Sequence, residues 1–429
     1  MIKSFTGNKF MKKHNAWQTL FVLLLLSLSL QSCLGASDTS SSTNYKKITT
    51  GNNQSIGINN QALFKGKIYF TQGGHLYIID GSRTISALIH DGNNIRDPAV
   101  SPDGKWLAFI VRYYDFSDLV TMPITGGKWT IVVDGVGRFV PNPGFAPKST
   151  HNWVFQAAWS KDSQSLIFLS DLQKLYDWAN YPYGDLGTDF DQSPFLDLQV
   201  FSVPLHNPPP RAEIENHRVV AYASYGDGGN RDPSYRPGHT DQIIYTRYGY
   251  DSTRTQQVIQ IYMEDPTMIA RHPERHYHPG DPGAGYDPGI AITPPSTAKT
   301  TSENMQPAFS PDGKEIAYIR RIDTTHMGLY MMQTPENITS DPNNPAVEKR
   351  ALLPYQKSSL IVSGEFVSQP VWSPDGKQIA YVSFNNNEFN IWLANVSVDA
   401  KTGTYKLTGN PVPLTSGGID ADSRPFWTN

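Results

Sequence analysis

The chain has 429 residues, carries 36 basic against 39 acidic side chains for a formal charge of −3, and contains a single cysteine. One cysteine excludes a disulfide within the chain and a cysteine metal cluster. A mildly acidic balance without Lys/Arg clusters argues against nucleic acid as a partner.

The chain opens with a basic stretch holding Lys9, Lys12 and Lys13 and no acid, followed by an apolar run from Leu20 to Leu30. That run has the length of a secretory h-region and is too short to span a bilayer comfortably. It ends in Leu30-Gln31-Ser32-Cys33, which resembles the bacterial lipobox: an apolar residue, a small one, then the cysteine that is acylated. The resemblance implies a signal peptide over residues 1–32, cleavage before Cys33, and lipid on Cys33 as a membrane anchor. An ordinary secretory signal or a short membrane anchor is the competing reading. Loss of residues 1–32 takes away four lysines and no acid, so the charge moves from −3 to −7. In Gram-negative lipoproteins an aspartate after the cysteine favours the inner membrane, so the resemblance with Leu34 there implies the outer membrane; the expected orientation is toward the periplasm.

Residues 33–60 are polar and of low complexity, with runs such as S-D-T-S-S-S-T-N and G-N-N-Q. They read as a flexible tether. From residue 61 onward the sequence repeats itself. Asp97–Phe109 reads D-P-A-V-S-P-D-G-K-W-L-A-F, Gln306–Tyr318 reads Q-P-A-F-S-P-D-G-K-E-I-A-Y, and Gln369–Tyr381 reads Q-P-V-W-S-P-D-G-K-Q-I-A-Y. Degenerate copies begin at Gln156 and Asp232, and a half copy runs from Arg424 to Trp427.

Each unit is a short strand ending in an aromatic or valine, a tight Ser-Pro-Asp-Gly turn, and a second, apolar strand. Third strands follow around Leu76–Ile79, Leu119–Met122, Leu198–Val203, Gln260–Met263, Leu329–Met332 and Ile391–Val396, and a less regular fourth closes each unit. Short strands with a periodic glycine and aromatic motif indicate an all-β propeller. Six repeats predict six blades. Arg424–Trp427 is a first strand with nothing after it, and Phe64–Phe70, Leu76–Asp80 and Ile85–Ile89 are strands with no first strand before them. The two parts therefore complete one blade and close the ring, which removes exposed sheet edges.

The S-P-D-G-K copies at 101–105, 310–314 and 373–377 resemble the PD40 repeat, the WD40-like blade of the TolB propeller family, over roughly residues 61–429. That resemblance implies a six-bladed β-propeller in the bacterial envelope. TolB proteins are soluble in the periplasm and carry an α/β domain ahead of the propeller. Here only a tether precedes the repeats.

Propeller topology sorts the loops onto two faces. Gly135–Asn152, Lys174–Pro194 and Arg271–Glu303 fall together on the face opposite the S-P-D-G turns, whereas His206–His217 and Pro335–Lys349 fall on the turn face. The first group marks the binding face. Its Lys174–Pro194 insertion offers Tyr176, Trp178, Tyr181, Tyr183 and Phe190 as partner-binding rings, unless they fold back over the propeller's mouth. The polar residues ahead of each repeat proline, Asp97, Gln156, Asp232, Gln306, Gln369 and Arg424, should ring the channel mouth. There they could meet a ligand or simply tie neighbouring blades by hydrogen bonds. His272, His276 and His278 lie close enough in sequence to share a metal, but their spacing matches no metal motif and reads more readily as a solvated loop.

No G-x-S-x-G elbow, H-E-x-x-H or P-loop is present, and no cofactor is expected. The leading expectation is a non-enzymatic, lipid-anchored envelope propeller that docks a protein or peptide. The alternative is a glycan- or peptide-processing propeller enzyme with a metal or paired carboxylates, such as Asp97 and Asp232, in its funnel.

Overall fold

A computed structural model describes residues 45–49, 55–89, 94–137, 139–140, 148–172, 197–209, 219–223, 226–251, 253–268, 289–296, 303–339, 344–401 and 403–429. Cys33, the insertion tyrosines with Trp178 and Phe190, and the three histidines of the Arg271–Asp281 loop lie outside these residues.

Antiparallel sheets built from hydrogen-bonded neighbours make up the body. Blade 1 joins Lys67–Gln72, His75–Asp80 and Ile85–Ile89 to the late strand Phe426–Thr428. Blade 2 holds Asn94–Val100, Trp106–Arg112, Ser117–Pro123 and Thr130–Val133. Blade 3 holds Val154–Trp159, Ser165–Ser170, Gln199–Pro204 and Val219–Ala221. Blade 4 holds Asn230–Tyr235, Ile243–Tyr250, Gln257–Glu264 and Ile290–Ala291. Blade 5 holds Asn304–Phe309, Glu315–Arg321, Met327–Gln333 and Ser359–Gly364. Blade 6 holds Val367–Trp372, Gln378–Asn385 and Glu388–Val398, with Tyr405–Leu407 and Val412–Pro413 on its outer side.

The arrangement has seven blades, which corrects the expected six. Blade 7 is a three-stranded sheet of Tyr45–Thr49, Ser55–Asn59 and Thr415–Ser416. It escaped the repeat count because it carries no S-P-D-G turn, and two of its strands lie in the stretch read as a tether. The cause is local: Ser55–Asn59 alternates S-I-G-I-N, and both Ile56 and Ile58 are fully buried. They join Ile391, Leu393 and Leu414 in the apolar cluster between blade 6 and blade 1. Five further clusters fill the seams between blades 1 and 2, 2 and 3, 3 and 4, 4 and 5, and 5 and 6. Burial on both faces explains why second strands such as Trp106–Arg112 are almost continuously apolar.

Phe426–Thr428 pairs with Lys67–Tyr69, setting Ile68 opposite Trp427. Gly66 makes this approach practicable: it sits at φ +82°, and a Cβ there would lie 2.1 Å from the Thr428 carbonyl oxygen. The Trp427 Nε1–H donates to the Lys65 carbonyl at 2.8 Å. The same bond recurs between blades, from Trp159 to Ala99 O and from Trp372 to Ala308 O. The repeat's aromatic thus fills a seam and spends its one donor on the preceding blade.

The turns follow one plan. Ser101 Oγ donates to Asp103 at 2.6 Å and accepts from Trp106 N at 2.9 Å, and Gly104 takes φ +69°. Ser160, Ser310 and Ser373 repeat the bond to their own aspartates. The Ser hydroxyl holds the carboxyls of Asp103, Asp162 and Asp375 below the usual range. The Pro335–Lys349 loop on the turn face is tied to the body in two ways. Its helix Pro345–Ala351, capped by Asn344, buries Val347 and Ala351. Glu336, just before it, receives both terminal nitrogens of Arg236 from blade 4.

Candidate functional site

Of the six polar residues ahead of the repeat prolines, or of Ala157 in the second copy, five sit inside the innermost strands and Arg424 lies just ahead of Phe426–Thr428. Five of them share an unusual backbone: Asp97, Gln156, Asp232, Gln306 and Gln369 have φ between +47° and +57°. Each lies at a register shift between first and second strands, at Arg96/Ala99, Phe155/Ala158, Arg231/Ser234, Met305/Ala308 and Ser368/Val371. The repeat therefore encodes a bulge that re-aims one polar side chain per blade.

These side chains point along the ring, blade to blade. Asp97 accepts from Arg424 N at 2.9 Å and from Gln156 N at 3.2 Å. The Gln156 side chain accepts from Asp232 N at 2.7 Å and donates to its carboxylate at 2.9 Å. Thr246 Oγ1 donates to Asp232 and accepts from Gln306 N, relaying the contact to blade 5. Gln306 accepts from Gln369 N at 2.8 Å. Gln369 Oε1 is buried and has no hydrogen-bond partner, so the chain of bonds breaks between blade 6 and Arg424. Burial pushes the Asp97 carboxyl up, against the two backbone N–H groups and the charges of Arg424 and Arg112 that favour its ionised form. Thr246 and Ser423, whose hydroxyl accepts from Asp97 N, belong to the same circuit. Neither is signalled by the repeat, because both lie outside the motif.

The face bearing the inter-blade loops and second-to-third strand hairpins is rich in rings. Phe366, Phe384 and Phe389 form one group, with centroids 5.3 Å apart for Phe366–Phe389 and 4.8 Å for Phe384–Phe389. Phe366 is 51% exposed. Tyr113 stacks on Phe116 at 4.4 Å beside a fully exposed Tyr114, and Trp153 stacks on Phe155. Arg96 pairs with Asp420 at 3.1 Å and Asp422 at 3.0 Å, and Arg112 pairs with Asp422 at 2.7 Å while its guanidinium lies 5.7 Å from the Phe155 ring centroid. Burial raises the Asp422 carboxyl, but the two arginines outweigh it and leave it below the ordinary value. Asp420 also caps Gly73 N and Gly74 N, both at 2.9 Å, stitching the final loop to blade 1.

On the opposite face the channel widens into a cavity of about 480 Å³. It opens among the turn residues Pro102, Pro237, Pro311 and Pro374, and all six repeats contribute to its wall. Among the described residues no group of three or more His, Cys, Asp or Glu is placed to hold a metal ion, and no helix is long and apolar enough to cross a membrane.

No protein-family profile matches the chain. Among curated proteins, the Tol-Pal system protein TolB of Xanthomonas oryzae pv. oryzae is 38% identical over 47 residues, 11% of each chain. The match thus spans about a tenth of that relative's length. Among solved structures, TolB from Acinetobacter baumannii superposes with a TM-score of 0.50 at 14% identity, covering 86% of this chain and 68% of that one. A putative TolB from Agrobacterium tumefaciens gives 0.38 at 16% identity over 62% and 73% of the two chains. Oligogalacturonate lyase in complex with manganese gives 0.42 at 11% identity over 84% and 83%. At these identities the likeness is one of fold alone. The fold is that of the TolB-like β-propellers.

Proposed function

We propose that this chain is a β-propeller of the bacterial envelope, anchored by lipid on Cys33, that docks a protein or peptide partner on the face formed by its inter-blade loops. The exposed aromatic groups of that face carry the reading: Tyr113, Tyr114 and Phe116 on one hairpin, and Phe366, Phe384 and Phe389 about another. Clustered, solvent-facing aromatic rings are enriched in protein-binding hot spots.

The test is in-cell cross-linking and co-purification of the full chain beside Tyr114→Ser and the pair Phe366→Ser, Phe384→Ser. Loss of one defined envelope partner in the variants, with melting temperature unchanged, supports docking on this face. Identical capture by wild type and variants overturns it. For the anchor, Cys33→Ser should move the protein from the membrane fraction to the soluble fraction; a variant that stays in the membrane fraction removes the lipid from the proposal.

A further inference from the structure

The repeat departs from its own pattern at three places on the channel wall, and each departure installs a base. Where three copies have the turn proline (Pro102, Pro311, Pro374), the second copy has Lys161. Where other copies have the turn serine, the third has Arg236. Where the other copies have Asp or Gln at the ring, the last has Arg424. All three line the same cavity, and no acidic side chain does.

Arg236 is already committed. Its Nε–H donates to Gly313 O at 2.8 Å, and its terminal nitrogens bond Gln242 and Glu336. Lys161 has a single bond, from Nζ to Gly238 O at 3.0 Å, and no ion pair is formed by Lys161 or Arg424 among the described residues. Most of the rest of the wall is apolar, with Ser234, Thr428 and Asn429 as its further polar residues. Trp159, Tyr235, Phe309, Trp372, Phe426 and Trp427 line it, and Ser234 Oγ on that wall is buried without a partner. A volume of about 480 Å³ is in the range of small-molecule sites, where apolar walls bury the ligand body and a few polar groups orient it.

We infer that the channel, entered from the turn face, binds a small organic anion with an apolar body and one carboxylate. Arg424 at the ring end takes the carboxylate through the paired N–H geometry that suits it. The aromatic wall takes the body. Lys161, at the mouth, attracts the anion and speeds its entry. The site is on the face opposite the proposed partner surface and does not depend on it.

Hydrocinnamate serves as the probe, with hydrocinnamyl alcohol as its neutral analogue, followed by calorimetry and tryptophan fluorescence on the full folded chain. Arg424→Gln and Lys161→Pro each install the residue that other copies carry, so both are compatible with the blade. The acid should bind about tenfold more tightly than the alcohol, and Arg424→Gln should erase that difference, since a charge-assisted pair contributes on that order. Lys161→Pro should slow association and flatten its salt dependence while leaving dissociation unchanged. Equal binding of acid and alcohol to the wild type, unaltered acid binding by Arg424→Gln, or no binding of either compound overturns the assignment. Should Arg424→Gln fail to fold, the acid–alcohol comparison and Lys161→Pro decide it.

Discussion

Asp97→Ala is the most informative single perturbation of the ring. Its carboxylate accepts two backbone N–H groups, Gln156 N from blade 3 and Arg424 N from blade 1. Alanine orphans both in a buried setting, at about 1–3 kcal/mol each, and its Cβ adds about 1–2 kcal/mol in the left-handed conformation that Asp97 holds at φ +51°. Relief of a carboxylate whose pKa burial has raised offsets part of this, leaving a net loss of roughly 2–4 kcal/mol. Over the roughly 300 described residues, at about 2.1 cal/mol/K per residue, that loss lowers the melting temperature by ~3–6 °C. Asp97→Asn keeps one acceptor oxygen and tolerates the backbone, so it should fall about halfway. Calorimetry gives the midpoints, and hydrogen exchange should show the Gln156 and Arg424 amides losing protection first. Asp97→Ala melting within about 1 °C of wild type, or Asp97→Asn proving no better than alanine, would refute the claim that this bridge holds the ring.

Three further outcomes are expected. Ile58→Ala should cost about 2–4 kcal/mol locally and open residues 45–66 to protease; an unchanged cleavage rate would show that blade 7 is not anchored through its buried isoleucines. Trp372→Phe should cost about 1–2 kcal/mol for the lost bond to Ala308 O and lost area, read by urea unfolding, and a neutral result would mean the indole N–H contributes nothing. Stability should peak at mildly acid pH. The lowered carboxyls of Asp103, Asp162 and Asp375 contribute above their unfolded value near about 3.9, and that contribution is lost as pH falls through their folded values. The carboxyls of Asp97, Asp118 and Asp227, raised by burial, impose a penalty that grows as pH rises through theirs. Melting temperatures that rise steadily to pH 8 would contradict this balance.

The propeller was legible because its unit is punctuated chemically. Ser and Asp must occur together for the turn to close on Ser Oγ, with Gly, or Ser163 in one copy, at the positive-φ position, and the aromatic before them must fill a seam. Blade 7 was not legible, because a strand needs only Ile56 and Ile58 in alternation, and the flanking Gly, Asn and Gln masked them. The ring's residues could be placed from sequence but not their direction. That depends on the left-handed backbone, which the residue before a proline ordinarily avoids, and on Thr246 and Ser423, which no motif marks. The channel bases were visible as departures from the repeat, but only the common cavity gives Lys161 and Arg424 a shared meaning.

The closing strand sets an order on biosynthesis. Phe426–Thr428 is the innermost strand of the first blade, yet it leaves the ribosome after every other blade has been made. Until then the Lys67–Gln72 edge stands unpaired, with Ile68 and Phe70 lacking their final cover. A growing chain can fold blades 2 to 6 in turn but cannot finish blade 1, and the buried cluster it shares with blades 6 and 7 must wait as well. Truncation by a handful of residues at the far end would therefore be felt first near the start of the propeller, as an adhesive edge open to β-pairing with other copies.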